Sequence, residues 1–239
     1  MGAPAAMASA GEASGAGERR GDLIALAALG AGLLAVIASL AMRPDWFHAL
    51  GRFQALCVAG FICFALALHR TRHLASDRRA LAIILGVAVL ARLLLLPIAP
   101  SLSGDLYRYL WEGRVIVAGG NPYRQAPDDP ALRSLRDDVV WPQVNHPQLA
   151  TIYPPLAEAG FALVARVWPT VTGMKAWVVL HDLLLVAVLA AWSSRAAGRA
   201  VAVLAYAWNP LVLVEYAGSG HNDPTSMLWL ALALMLAQP

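Results

Sequence analysis

Charge is scarce in this sequence. Asp, Glu, Lys and Arg make up 14% of its 239 residues, little more than half of the ~25% that a soluble domain carries. With 59% hydrophobic residues and a mean hydropathy of +0.59, the chain has too little polar surface to cover itself in water. A soluble globular enzyme is thereby excluded. Lysine is nearly absent, Lys175 being the sole one among 18 basic residues. The net charge of +3 offers no basic surface for nucleic acid, so no nucleic-acid partner is expected. The two cysteines, Cys57 and Cys63, fall in one apolar run and point to different faces of a helix, which rules out a disulfide framework and a Cys-based metal site. His146, Asp105 and Asp223 are the one set able to converge on a divalent ion. No ligand spacing supports it, so neither metal nor cofactor is expected.

What the sequence has in quantity is long apolar runs. Residues 1–21 are Ala, Gly and Ser with scattered charges ending in Glu18-Arg19-Arg20, which reads as a disordered cytoplasmic tail. From there residues 22–239 read as an all-α, polytopic membrane domain with about six to seven apolar helices. Leu23 to Met42 is long enough to cross ~30 Å of hydrocarbon and lacks a cleavage site, so it is a retained first span. Runs at 53–68 and 80–98 follow. Between them Arg70, Arg72, Arg78 and Arg79 crowd one short loop, which marks the cytoplasmic side. The third run then exits on the outer side near Pro97–Pro100, and Arg92 is expected to snorkel toward the outer headgroups. Later apolar stretches lie at about 155–168, 175–193, 200–214 and 227–237. The first of these is short for a span. It is expected to be short, re-entrant or laid along the surface, which keeps Arg195 and Arg199 inside. His181-Asp182, within the next run, is costly unless paired or wet. The chain stops directly after an apolar run and reads as the front part of a longer protein.

The longest polar segment, 101–151, therefore lies outside. At this length a loop is functional or disordered, and its aromatic density argues against disorder. On a helical wheel Asp105, Arg108, Tyr109 and Glu112 share a sector of about 100° beside an apolar stripe of Leu106, Leu110 and Val117. This predicts an amphipathic helix over 105–117, stopped by Gly119-Gly120 and turned by Asn121-Pro122. Asp129-Pro130 opens a second short helix. Asp128, Asp129, Asp137 and Asp138 read as caps and exposed charges. Asp105 stands apart because Arg108, Glu112, Arg114, Asn121, Tyr123, His146 and Tyr153 crowd the same segment. Tyr107, Trp111, Tyr123, Trp141 and Tyr153 suit either sugar stacking or an interfacial belt. His221-Asn222-Asp223 serves as a helix cap, a site element, or both.

The string Ser103-Gly104-Asp105-Leu106-Tyr107-Arg108-Tyr109-Leu110-Trp111-Glu112-Gly113-Arg114, then Gly120-Asn121-Pro122-Tyr123, His146-Pro147 and Tyr153-Pro154-Pro155, resembles bacterial GT-C glycosyltransferases. It is most similar to their polyprenol-phosphate-mannose-dependent mannosyltransferase-like group. Tyr206-Ala207-Trp208-Asn209-Pro210 through Glu215 to Gly220-His221-Asn222-Asp223 resembles that group's downstream block. One departure is the acidic loop, which follows the third span here and the first in many GT-C enzymes.

The resemblance implies transfer of a hexose, mannose foremost, from a polyprenyl-phosphate sugar to a hydroxyl of a glycan or lipid acceptor. On this reading the reaction is expected on the outer face of a bacterial plasma membrane, with a multi-pass enzyme whose N-terminus is cytoplasmic. Asp105 is the expected general base. Arg108, Glu112, Arg114, Asn121, Tyr123, His146, Tyr153, His221, Asn222 and Asp223 are the expected substrate-binding set. Asp105, Glu112 and Asp223 are expected to converge on one cavity. A transporter or flippase of a lipid-linked or small polar substrate is the competing reading; it calls for polar groups within broken helices and related halves.

Overall fold

A computed structural model describes residues 3–193 and 198–237, with side chains from residue 15 onward. Among the described residues the structure is helical, without strands. Helix α1 (Ala3–Ala41) continues back through residues that composition alone reads as an unstructured tail, consistent with the high helix propensity of their many alanines. It is followed by α2 (Leu50–Thr71) and, after a 3₁₀ turn at Arg72–Leu74, by α3 (Arg78–Leu95). Asp77 starts α3 by accepting the N–H groups of Arg79 and Ala80, as an N-cap aspartate does. The amphipathic helix α4 (Asp105–Val117) has the bounds its periodicity predicts. Its loop carries 3₁₀ turns at Pro130–Leu135, capped by Asp129, and at Trp141–Gln143. Then come α5 (Pro155–Val167), α6 (Val171–Trp192), α7 (Arg199–Ala207), the single turn α8 (Pro210–Val212) running into a π-helical segment at Leu213–Ser219, and α9 (Asp223–Leu236).

Three helical segments are long and apolar enough to cross a membrane: Gly15–Ala41, Leu50–Leu74 and Val171–Trp192. A fourth arises if α7 and Pro210–Ser219, bent by 43°, form one broken span. This is fewer than the six to seven apolar helices expected. Helix α3 carries Arg78, Arg79 and Arg92 within 18 residues, and α5 has 13 residues, about 20 Å of helix against ~30 Å of hydrocarbon. The shorter reading of 155–168 therefore holds. The Ala200 N–H donates to the Ala75 carbonyl at 3.0 Å, so α7 starts at the same end of the bundle as the arginine-rich turn. Arg195 lies outside the described residues.

Arg92 does not snorkel. It is fully buried and forks onto Asp182, Nε to Oδ2 at 2.6 Å and one terminal nitrogen to Oδ1 at 3.2 Å. Its other terminal nitrogen donates to the Ala88 and Ala207 carbonyls. The last bond explains the arrangement. The Leu211 N–H turns to the Asn209 side chain, so the helical partner of the Ala207 carbonyl is lost at the break. Broken helices in membranes persist where a neighbour satisfies the freed backbone, and Arg92 is that neighbour. Tyr206 completes the cluster by donating to Asp182 at 2.7 Å. His181, beside it, rests on the Trp177 ring and carbonyl.

The opposite end of the bundle supports the polar layer. Lys175, also fully buried, donates to the Leu95 and Ile98 carbonyls at 2.6 and 2.8 Å. It thereby stitches the first turns of α6 to the end of α3, where cations suit the helix dipole. A second apolar core, distinct from that of the bundle, lies under α4. There Leu106, Tyr109, Leu110, Trp111 and Val115 pack with Phe161, Val164 and Met174. Helices α4 and α5 approach so closely at Gly113 that an added Cβ would lie 2.3 Å from the Phe161 carbonyl oxygen.

Candidate active site

Asp105 begins α4, and its carboxylate is held from two directions. The Asn145 side-chain amide donates to Oδ1, and His221 Nε2 lies 3.4 Å from Oδ2. The other ring nitrogen of His221 meets Glu215 Oε2 at 2.8 Å, so one imidazole bridges two carboxylates. The hydrogen bond from His221 is the main cause that holds the Asp105 carboxyl down to about 2, with Asn145 and Ser103 adding to it against burial. In return, the bonds to Asp105 and then Glu215 push His221 up to about 10. At neutral pH an imidazolium therefore faces the Asp105 carboxylate.

His221 owes its place to the turn before it. The π-helical segment carries Glu215 and ends at Gly220, whose φ of +83° is left-handed. The His221 N–H then donates to the Glu215 carbonyl at 3.1 Å, closing the turn that sets ring and carboxylate face to face. An added Cβ at Gly220 would lie 2.1 Å from Leu106 of α4. Gly220→Ala is therefore expected to cost the left-handed backbone term of about 1–2 kcal/mol and a shift of α4 besides. Gly119→Ala has a similar φ of +84° but open space and should cost the backbone term alone. Thermal melts of both variants beside transfer assays check this: activity should fall in the first and persist in the second.

A cavity of about 230 Å³ opens beside Asp105, lined by Asp105, Arg108, Asn145, His146, Leu149, Ala150, Ile152 and Tyr153. Of the expected substrate-binding residues, Arg108, His146 and Tyr153 lie on it; His221 stands behind Asp105. Arg108 is buried and largely occupied. It donates to Glu112 at 2.6 Å and to the carbonyls of Asn145, His146 and Leu149 at 3.2, 3.0 and 2.6 Å. Such a fork folds the loop over α4 and holds His146 at its left-handed φ of 45°, a conformation that His tolerates better than most residues. Tyr153 packs edge-on against Tyr109 at 5.0 Å, and burial pushes its phenol up to about 12.

The remaining expected residues are placed elsewhere. Arg114 pairs with Asp137 at 2.5 Å, and Asp137 also accepts the N–H groups of Val139, Val140 and Trp141. This pins the loop. Asn121 makes a turn by accepting the Tyr123 N–H, and the Tyr123 hydroxyl donates to the Tyr153 carbonyl. Glu112 faces inward, away from the cavity lining. Asn222 takes the N-cap position of α9 but accepts from the Thr225 hydroxyl. Asp223 is the first residue of that helix, is exposed, and does not line the cavity. Of Asp105, Glu112 and Asp223, only Asp105 lines the cavity of about 230 Å³ described above. Among the aromatics, Trp111 is core, tilted against Trp141 at 5.0 Å. Asn145 and Glu215 are the partners that sequence reasoning passes over. Glu215, six positions before His221, stands within the downstream block, whereas Asn145 lies one position before the His146-Pro147 pair and outside the quoted strings.

An apolar helical bundle bearing a carboxylate–imidazole centre and a cleft in a helical layer at one end has the make-up of an integral-membrane protein with a polar site at its surface. The sequence model of the MptA/B family, described as alpha-(1->6)-mannopyranosyltransferase, N-terminal domain, matches residues 19–239. The chain belongs to that family, and so to the mannosyltransferase class of glycosyltransferases. No curated protein and no solved structure matches it.

Proposed function

We propose that this chain moves a mannosyl group from a polyprenyl phosphate to an acceptor hydroxyl on the outer face of a bacterial plasma membrane. In this reading Asp105 receives the hydroxyl proton. The acceptor oxygen bonds to C1 of the sugar, the bond from C1 to the phosphate oxygen breaks, and the polyprenyl phosphate leaves with its electron pair. The observation that carries the reading is the Asp105 carboxylate, fixed by Asn145 and His221 at the wall of a cavity within a family of mannosyltransferases. A general base must be oriented before its basicity matters. A lipid-linked donor gives such chemistry a reason to sit on an apolar bundle.

The transporter reading has one feature in its favour, the charged Arg92–Asp182 pair beside a broken helix. Both side chains have 0% exposure, and the pair's bonds are met within the protein, so it serves the backbone break.

The test is donor choice. The full chain in proteoliposomes, given an acceptor mannoside, should transfer radiolabel from polyprenyl-phosphate mannose and none from a nucleotide-linked mannose. Transfer from the nucleotide sugar alone would overturn the lipid donor. Transfer from neither would remove the enzymatic reading.

A further inference from the structure

Glu112 and Glu158 are buried carboxyl groups, at 1% and 2% exposure, in the apolar layer between α4 and α5. One oxygen of each has a donor: Glu112 Oε1 accepts from Arg108, and Glu158 Oε1 accepts from the Thr151 hydroxyl at 2.7 Å. The second oxygen of each, Oε2, meets no donor, and the two carboxyls lie within hydrogen-bonding reach of one another. As two carboxylates they would leave two buried acceptors unsatisfied and one negative charge uncompensated, each a substantial cost. One proton removes both defects, because a Glu158 hydroxyl then donates to Glu112.

We propose that Glu112 and Glu158 hold one proton between them, and that this acid–carboxylate pair positions the active-site loop 145–153, with Glu158 a positioning residue for sugar transfer. The role in transfer rests on the function proposed above; the shared proton does not. Glu112 fixes Arg108, and Arg108 holds the carbonyls of Asn145, His146 and Leu149. Glu158 fixes Thr151, whose own N–H donates to the Pro122 carbonyl and whose Oγ1 accepts the Tyr153 N–H. The loop that carries Asn145 to Asp105 is thus tied at both ends to the same pair of carboxyls.

Burial, then the neighbouring Glu112, pushes the Glu158 carboxyl up to about 8. The titratable and charged groups facing the pair are Arg108 of α4 and, from the loop, Tyr123 and Tyr153. Glu158 is raised from 4.5, so its contribution to stability is complete below that value and is lost as pH rises through about 8. The loop should loosen on the same alkaline limb.

The test uses the full chain. Glu158→Ala should lower kcat on the order of 10²-fold, the scale of a small misplacement of catalytic groups. Glu158→Gln keeps a donor toward Glu112 and an acceptor for Thr151, so it should restore most of that loss and remove the fall in rate near pH 8. Infrared difference spectra between wild type and Glu158→Gln should show a protonated carboxyl band at pH 7 that fades through pH 8. The band reads the pair whether or not transfer is measured. Its presence in a protein that transfers no mannose would support the pair and count against the proposed function. Its absence, wild-type kcat in Glu158→Ala, or Glu158→Gln as impaired as Glu158→Ala while melting like wild type would each overturn the proposal. If Glu158→Ala fails to fold, the glutamine variant's spectrum and pH profile decide.

Discussion

Asp105→Asn in the full chain should lower mannosyl transfer on the order of 10²–10⁴-fold, the usual contribution of a general base. The melting temperature should fall modestly. The amide keeps an acceptor for Asn145 and His221 keeps Glu215, so the loss is that of the charge-assisted bond from His221, about 1.5–3 kcal/mol. Radiolabel transfer beside a thermal melt separates the two roles, and unchanged transfer would leave Asp105 a helix-start residue. A carboxylate held near 2 is a weak base, yet it suits this step. The hydroxyl loses its proton once its oxygen is bonding to C1, when it has become a strong oxonium acid. Asp105 is lowered from 3.8, so its contribution to stability is present above that value and is lost as pH falls through about 2. His221 is raised from 6.5 to about 10, so its contribution is complete below 6.5 and is lost as pH rises through 10. Between about pH 4 and 9 neither should bend the rate profile, and a decline near pH 8 then belongs to Glu158.

Arg92→Met or Asp182→Leu should each destabilise the bundle by about 3–5 kcal/mol, the cost of leaving one buried charge without its partner. Each side chain is fully buried, so water cannot take the place of what is removed. Arg92→Met also strips the donor from the Ala207 carbonyl at the helix break. The double change Arg92→Met with Asp182→Leu should recover the charge penalty but not all of the stability, because the Ala207 carbonyl and the Tyr206 hydroxyl stay unpaired. A double-mutant cycle of melts in detergent measures the difference. A loss in the double variant equal to the sum of the two single losses would show that the ion pair contributes nothing of its own.

These two sites mark where the sequence was legible and where it was not. The bounds of α4 follow from its periodicity and its Gly-Gly stop, both local signals. That 155–168 is too short to be a simple span follows from its length. The partners of Arg92 are hidden in the sequence, because distance to the end of an apolar run says nothing about a carboxylate 90 positions later or a carbonyl 115 positions away. Arg108 and Arg114 read as substrate-binding because a sequence displays charges and hides the backbone carbonyls and loop carboxylates that occupy them. Asp105 could be singled out by its company, but its actual holders are 40 positions away in Asn145 and across the bundle in His221. The paired glutamates were least visible of all, since two acidic residues on different helices carry no mark of a common proton.

Lys175 gives the molecule an unusual chemical signature. It bears the one side-chain primary amine in the chain, and that amine is closed off from solvent against two carbonyls at the seam of α3 and α6. Amine-directed cross-linkers, acylating dyes and lysyl proteases find no target within the folded bundle. Whatever acylation does occur at this position is a clock for separation of those two helices. The protein carries a built-in probe of its own opening, readable by mass spectrometry without any engineered label.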